Sequence, residues 1–507
     1  MKTLGAWRTE GTQMLVAWSA QSAPARSLGL GAWVVFIGLL ALSLLFSLLG
    51  QPALSLIALA LLPLWALHEA LFRWITGISL LLLVLFFVPS RVYRLPLSLP
   101  FDLDPYRLVL LFLLLVWLIQ AAAHGPLGVA RTHMSTAITW FLGAVVLSYA
   151  VNATRLISAS ELAFAVKTIA YAASFPLTFY VIASKVRTTE EALKLVDLLV
   201  ICGGLAGVFA VLERVTHYNV FYHLESFMPL LEHVAVPTQE VRGAVRVAGA
   251  TAHPIAFSTA LSMLLPLSIV RAFEAASQRV RWSSGACALF ISIGALLALS
   301  RTGIVGIVAA GAILMFAFPR HRALLTSLAL GLTALVHLLF RGVIGTFIQF
   351  LTPSNISVME AGNDNGRLAD YAWALPQIVN RPLFGLGFGA LNPERSGRFI
   401  DNQYLAFSLE IGILGMIAFL YLMWRGISVP LRAGQGAGEE AGAVLVGIAA
   451  ASAAFAVASV TFDTVGFPQV TYLFFALAAL ASVVMNGSGG AKRPSLVDAR
   501  RPHANLP

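Results

Sequence analysis

Apolar runs of about 17 residues or more recur along this chain, each long enough to cross a hydrocarbon core roughly 30 Å thick. Inside such a core every backbone N–H and C=O must be paired within the segment or within a closed barrel. Barrel strands would be short and alternating, whereas these runs are continuous. The expected fold class is an all-α polytopic membrane protein with about 12–14 transmembrane helices. Composition agrees: 59% of the 507 residues are hydrophobic and 11% charged, against about 25% charged in a soluble domain. Cys202 and Cys287 both lie inside apolar runs and read as small buried hydrophobes, neither a disulfide nor a metal site.

Hydropathy places spans near 28–49, 52–70, 74–89, 106–123, 134–151, 162–184, 194–214, 255–273, 285–299, 302–318, 324–345, 405–424, 441–461 and 470–486. The first is too long for the apolar region of a cleaved signal and reads as a retained helix. The chain is then organised as a polar segment 1–27, helices over 28–214, a loop 215–254, helices over 255–345, a large loop 346–404, helices over 405–486 and a Gly-, Pro- and charge-rich tail 487–507 expected to be disordered.

Of 33 basic residues 28 are Arg, and their placement carries the information. Arg26, Arg73, Arg131, Lys185, Arg187, Lys194, Arg279, Arg281, Arg320, Arg322, Arg425, Arg432 and Lys492 fall on one face together with both termini, which the positive-inside rule makes cytoplasmic. The other face receives the loops 215–254 and 346–404, and loops of that length are usually functional. It collects Arg91, Arg94, Arg107, Arg155, Arg242, Arg246, Arg301, Arg367, Arg381, Arg395 and Arg398, with no Lys. Guanidinium forks are preferred where phosphate or carboxylate is recognised. For Arg91, Arg94 and Arg155, snorkelling to the interface is the preferred reading.

Four stretches on that face draw attention. In "LALSRTGIVG" Arg301 stands at the start of a helix beside Thr302, a candidate N-cap. A cation there opposes the helix dipole unless an anion shares the site; a headgroup-binding turn explains it equally well. In "AGNDNGRLADYAWALPQIVNRPLFGLGFG", Asn363–Gly366 read as a turn and cap. Arg367 then opens a helix in which Leu368, Tyr371, Ala372, Leu375 and Ile378 form an apolar stripe. Gly385, Gly387 and Gly389 follow and permit close backbone approach. In "VRVAGATAHPIAF", Arg246 and His253 precede a span, with Gly249 as a turn; His253 is a candidate base or a plain hydrogen-bonding residue. In "RFIDNQYLAFSLEIGILG" either Asp401 or Asn402 can cap the next span, but not both. Glu410 falls two turns inside that span, where a carboxylate is a functional candidate. No P-loop, HExxH, DxD or Cys/His cluster occurs, so no motif supports a metal, a nucleotide or a cofactor.

Taken in order, "RVAGATAHP", "LSRTG", "NGRLADYAWALPQIVNRPLFGLGFG" and "DNQYLAFSLEIGILG" resemble the signature of the O-antigen ligase and polymerase superfamily, over about residues 240 to 425. The resemblance implies a bacterial inner-membrane glycosyltransferase with a GT-C-like fold and a periplasmic site. Such enzymes use an undecaprenyl-diphosphate-linked glycan donor and need neither metal nor nucleotide sugar. It implies that both termini are cytoplasmic, that Arg301 and Arg367 hold the diphosphate, and that Asp401 stands where the ligases carry a histidine. Arg246, His253, Asn402, Tyr404 and Glu410 are the expected substrate-binding residues. A carboxylate in place of that histidine favours a polymerase, joining lipid-linked repeat units, over a ligase that transfers finished glycan to a lipid A-core acceptor. A chain-length regulator is a conceivable partner and nucleic acid is not. From another class, a flippase or other transporter would place charge at the bilayer midplane. Lys167, Asp197, His337 and Glu410 are the notable candidates for that, and no repeat is visible.

Overall fold

Each apolar run within reach becomes a helix. The structure, a computed structural model, describes residues 73–94, 104–124, 128–158, 161–226, 232–233, 240–241, 244–339, 367–391 and 400–488. The segment 1–27, the spans at 28–49 and 52–70, the turn Asn363–Gly366, the residues Arg242, Arg395 and Arg398, and the tail from 489 lie outside the described residues. The chain divides into Met1–Thr76 and Gly77–Pro507, and the second unit is the subject below.

The helices are α1 (Trp74–Phe87), α2 (Pro105–His124), α3 (Ser135–Val151), α4 (Ala153–Ser158), α5 (Leu162–Lys185), α6 (Thr189–Thr216), α7 (Pro254–Glu274), α8 (Gln278–Leu297), α9 (Arg301–Ala317), α10 (Arg322–Leu339), α11 (Arg367–Asn380), α12 (Gln403–Glu410), α13 (Gly412–Gly436), α14 (Glu439–Ala458) and α15 (Pro468–Ser488). Among the described residues, seven helices are long and apolar enough to cross a membrane. The count is eight if α9 and the sharply bent segment after it form one broken span. This is an all-α polytopic membrane protein. Among the described residues strand is confined to two ribbons of two residues per side: β1 (Tyr93–Arg94) with β2 (Glu232–His233), and β3 (Glu240–Val241) with β4 (Ala244–Val245).

Helix α14 lies at the centre, packed by α7, α9, α13 and α15. Its sequence, EEAGAVLVGIAAASAAFAVA, is small-residue rich, which lets neighbouring backbones approach where lipid supplies no hydrophobic drive between helices. The same device joins α6 to α8. A Cβ on Gly207 would collide with the carbonyl of Phe290.

At the end of the bundle opposite the site, Arg271 is 4% exposed and forks onto Asp197 at 2.6 and 2.9 Å, with a third bond to Glu440 at 2.6 Å. One guanidinium thereby clamps α6, α7 and α14. Asp197, a candidate for a midplane charge, is instead one arm of this clamp. Nearby, Thr188 and Glu191 form a complete capping box at the start of α6, closing that helix without help from lipid.

One expectation is corrected here. The span at 405–424 is two helices, α12 and α13, broken at Ile411 and Gly412. Glu410 therefore ends a short helix and does not sit inside a long one. The helix expected after Arg367 is α11, and its apolar stripe is largely exposed. Tyr371 and Leu375 are exposed, while Asp370 and Ala374 are buried and Ile378 packs against Ile400, Leu405, Ala406 and Leu409.

Candidate active site

The head of α12 resolves the question of the cap. Asn402 has an extended backbone, and its Oδ1 accepts from Tyr404 N at 3.0 Å and Leu405 N at 3.1 Å. Its Nδ2 donates to the Tyr371 hydroxyl of α11 at 2.7 Å. Asn402 alone is the cap, so capping does not explain Asp401, which is exposed just outside it. The buried Gln403 donates its N–H to Ser459 O at 2.9 Å and accepts from Val465 N at 2.8 Å through Oε1. The Tyr404 hydroxyl donates to Ala456 O at 2.9 Å.

Glu410 organises the glycine-rich loop after α11. Its Oε1 accepts from Gly389 N at 3.1 Å and Leu391 N at 3.3 Å, and its carbonyl takes Gly387 N and the Ser148 hydroxyl. Gly385, Gly387, Gly389 and Gly412 all have positive φ, and a Cβ on Gly385 would lie 2.5 Å from the backbone of Leu409 and Glu410. Only glycine fits such a position without strain. Arg155 donates to Leu386 O at 2.9 Å and pairs with Glu161 at 3.1 Å, so it braces this loop and is not a snorkelling residue. Arg381 reaches Asn152 Oδ1 at 3.0 Å.

On the arginine side, α9 is capped by Ser300, whose hydroxyl accepts from Gly303 N at 3.4 Å. The cap is Ser300 and not Thr302. The Thr302 hydroxyl is 2.8 Å from that of Thr461. Arg301 is the first residue of α9, at the positive end of its dipole, as read from the sequence. Arg246 donates from Nε to Ala298 O at 3.2 Å, which ties it to the turn that precedes Arg301. Gly249, at φ +53°, forms a turn whose N–H goes to Glu213. Arg367 opens α11.

His253 is the cap of α7. Its Nδ1 accepts from Ile255 N at 3.1 Å, so the neutral ring carries its proton on Nε2. Burial, with Arg246 adding to it, pushes the imidazole down to about 4. A neutral ring whose acceptor nitrogen is occupied serves as a donor. Its geometry does not suit a base.

What sequence reasoning missed is the connection between α14 and α15, "SVTFDTVGFP". Ser459 and Val465 hold Gln403, Thr461 meets Thr302, and the Phe467 ring lies 5.5 Å from that of His253. The Arg91 guanidinium also sits over Phe467, 5.5 Å from its centroid, a cation–π contact and not a snorkel. Asp463 lies in the middle of the loop, partly buried, with Oδ1 accepting from Gly466 N at 2.8 Å. Burial raises its carboxyl pKa, Gly466 N–H and Arg91 pull it down, and Asp401 pushes it up again. The available signal was an acidic residue followed by Gly-Phe-Pro between two spans. No spacing rule marks that as chemistry.

Arg301 and Arg367 open α9 and α11, and Asp401 and Asp463 lie on the adjoining segments, a set of charged groups in a helical membrane bundle that can meet an anionic substrate. Comparison narrows this: residues 286–420 match a family described as O-antigen ligase. That match supports the O-antigen ligase/polymerase superfamily, with a ligase- or polymerase-type transfer of glycan, and it contains Arg301, Arg367, Asp401 and Glu410. No curated protein matches the chain.

Proposed function

We propose that the protein polymerises undecaprenyl-diphosphate-linked oligosaccharide repeat units, as a metal-independent glycosyltransferase of the bacterial inner membrane whose site faces the periplasm. The observation that carries this reading is the division of labour at the head of α12. Asn402 does the capping, and Asp401 stands exposed beside it on a segment docked to the same loop that touches Thr302, next to Arg301.

In this reading Arg301 and Arg367 neutralise the diphosphate as charge develops on it. Arg246 flanks them and His253 donates from Nε2. Asp401 takes the proton of an acceptor hydroxyl as that oxygen bonds to the anomeric carbon. The bond from that carbon to the diphosphate breaks on the opposite side, which inverts configuration. Ligation to a lipid A-core acceptor is the second reading, favoured by the description of the matching family; Asp401 at the ligase histidine position favours the first. Against transport, Asp197 is bound to Arg271 in the first third of α6, and the Glu410 carboxylate is engaged by the glycine loop.

The test is Asp401→Asn, Arg301→Ala and Arg367→Ala in a deletion strain, with protein levels checked and surface polysaccharide resolved on a gel. Loss of long polymer with single repeats retained supports the polymerase. Loss of all attached glycan with lipid-linked polymer accumulating supports the ligase. Unchanged product from all three variants ends both readings.

A further inference from the structure

Helix α11 wears its apolar side outward. Tyr371, Leu375 and Val379 recur every four residues and share one stripe of the helix. Tyr371 is 39% exposed, Leu375 52% and Val379 75%, and Leu383 in the turn that follows is 54% exposed. The inward face carries Asp370, which is buried, beside the fully buried Ala374. A helix lying on a protein surface in water buries its apolar stripe and shows its polar one. Here the order is reversed. The inward face is already filled, since Ala374 joins Ile400, Leu405, Ala406 and Leu409, with Trp373 and Ile378 packed against them. A coherent apolar stripe left exposed in this way marks a contact surface.

Two anchors fix the level of α11 on the bundle. The turn at its end is bonded to the first turn of α13, where Ile413 N donates to Pro382 O at 2.8 Å. A Cβ on Gly412 would collide with the Leu383 carbonyl, so the two segments are in direct contact. The same turn is bonded to the end of α3. Arg381 donates to Asn152 Oδ1 at 3.0 Å, and the Ser148 hydroxyl donates to Phe384 O at 2.7 Å. The span α13 begins at this level and the apolar helix α3 ends there, which is where a bilayer has its boundary. On its outer side α13 shows Ile413, Ile417 and Leu420, each about half exposed, and that side of a membrane-crossing helix faces lipid. The exposed stripe of α11 continues to it through Leu383. Tyr371 suits the same boundary. Its ring is exposed while its hydroxyl takes the Asn402 amide, the divided character that places tyrosine in interfacial belts.

We propose that α11 is an interfacial helix, with its apolar stripe immersed in the lipid leaflet at the site end of the bundle and the acyl chains of that leaflet as its partner. Helices of this kind bury their apolar face about 5–10 Å into the boundary between headgroups and acyl chains. The assignment stands on burial and contacts and goes beyond the glycosyltransferase reading. Where that reading also holds, immersion sets the start of α11, with Arg367, at the height of a lipid-borne diphosphate. Through the Tyr371–Asn402 bond it steadies the segment that carries Asp401.

The experiment reads depth. The full chain has Cys287→Ala, keeps the buried Cys202, and carries one environment-sensitive maleimide fluorophore at Val379→Cys. It is reconstituted into nanodiscs of phosphatidylethanolamine and phosphatidylglycerol that hold a nitroxide either near the headgroup or deep in the acyl chain. Iodide is the aqueous quencher, and Ile417→Cys on α13 calibrates quenching by lipid. Leu375→Cys is read in the same way where Val379→Cys fails to accumulate. The expected result is blue-shifted emission, strong loss of fluorescence to the shallow nitroxide, weaker loss to the deep one and little to iodide. Strong quenching by iodide with none by either nitroxide would put the stripe in water and overturn the proposal. Protection from all three quenchers would overturn it too, because protein would then cover the stripe. Quenching regained on dilution into more lipid would identify that cover as a second copy, and persistent protection as another segment of this chain. Quenching by lipid in a protein that transfers no glycan would uphold the immersed helix and overturn only the glycosyltransferase reading.

Discussion

Asp401 and Asn402 are adjacent, polar and similar in shape, yet their surroundings separate them. Asn402 spends its Oδ1 on two backbone donors and its amide on Tyr371. Asn402→Ala should therefore destabilise the protein by about 1 kcal/mol, seen as a lower midpoint in thermal unfolding. Asp401→Asn should melt with the wild type and lose glycan transfer. Equal melting of both variants would show that the cap is not where the geometry places it. His253 offers a second residue-scale outcome, in pH. Its pKa is held at about 4, below the ordinary 6.5. In that window the unfolded chain binds a proton that the folded chain refuses. Its contribution is thus present above about pH 6.5 and lost as pH falls toward 4. His253→Asn, which retains a cap acceptor for Ile255, should show a smaller drop in melting midpoint between neutral and mildly acid pH. Matching drops in the two proteins would assign the acid sensitivity to other groups.

At the scale of elements, the break between α12 and α13 lets the carbonyls of Leu409 and Glu410 take the N–H groups of Leu386 and Gly387. The Glu410 carboxylate completes that seam, so its acceptor atom matters more than its charge. Glu410→Gln should keep the fold, since the amide oxygen can still accept from Gly389 and Leu391. Glu410→Ala leaves two buried donors without partners, at about 1–3 kcal/mol each. Limited proteolysis of the loop distinguishes the two variants. A glutamine variant that folds normally and has no activity would instead place the charge in the chemistry. Among the described residues the extents of α5, α7 and α15 were legible because hydropathy is a local property of the chain, whereas the break at Ile411 and Gly412 was not. Nor was the face of α11. Both of its sides carry apolar residues, and in a membrane protein an exposed Leu375 or Val379 incurs no aqueous penalty that would reserve the apolar stripe for the core. The α14–α15 loop was illegible for a different reason. Asp463 gains its surroundings only when Gln403, Thr302, His253 and Arg91, far apart in sequence, arrive around one short turn. The candidate roles of Arg301, Arg367 and Asp401 came from a resemblance; the contacts that hold Thr302 and Gln403 beside two of them had no counterpart in the sequence pattern.

Within the second unit, and among the described residues, the two ends of the helical bundle differ in chemistry. One end holds the starts of α7, α9, α12 and α15 with His253, Arg301, Asn402 and the Asp463 loop. The other holds Lys185, Arg279, Arg281, Arg320 and Arg425, together with the Arg271 clamp. Lysine and arginine near short loops are retained on the cytoplasmic side, which is the basis on which the proposed reading turns the site outward, toward a lipid-linked glycan. Tyr218, just past the end of α6, is 54% exposed at the site end, and Trp282, near the start of α8, is 74% exposed at the other. Single cysteines at these two positions, in a background with Cys202 and Cys287 replaced, report the orientation directly. In intact spheroplasts a membrane-impermeant thiol reagent should label Tyr218→Cys and leave Trp282→Cys unlabelled until the membrane is opened. The reverse pattern would put the arginine-bearing end in the cytoplasm, where Asp401 and Asp463 would face nucleotide-activated sugars and not an exported lipid-linked donor. Labelling both ends alike in sealed cells would mean the reagent had crossed, and the pair would be repeated with a larger maleimide until one end is protected.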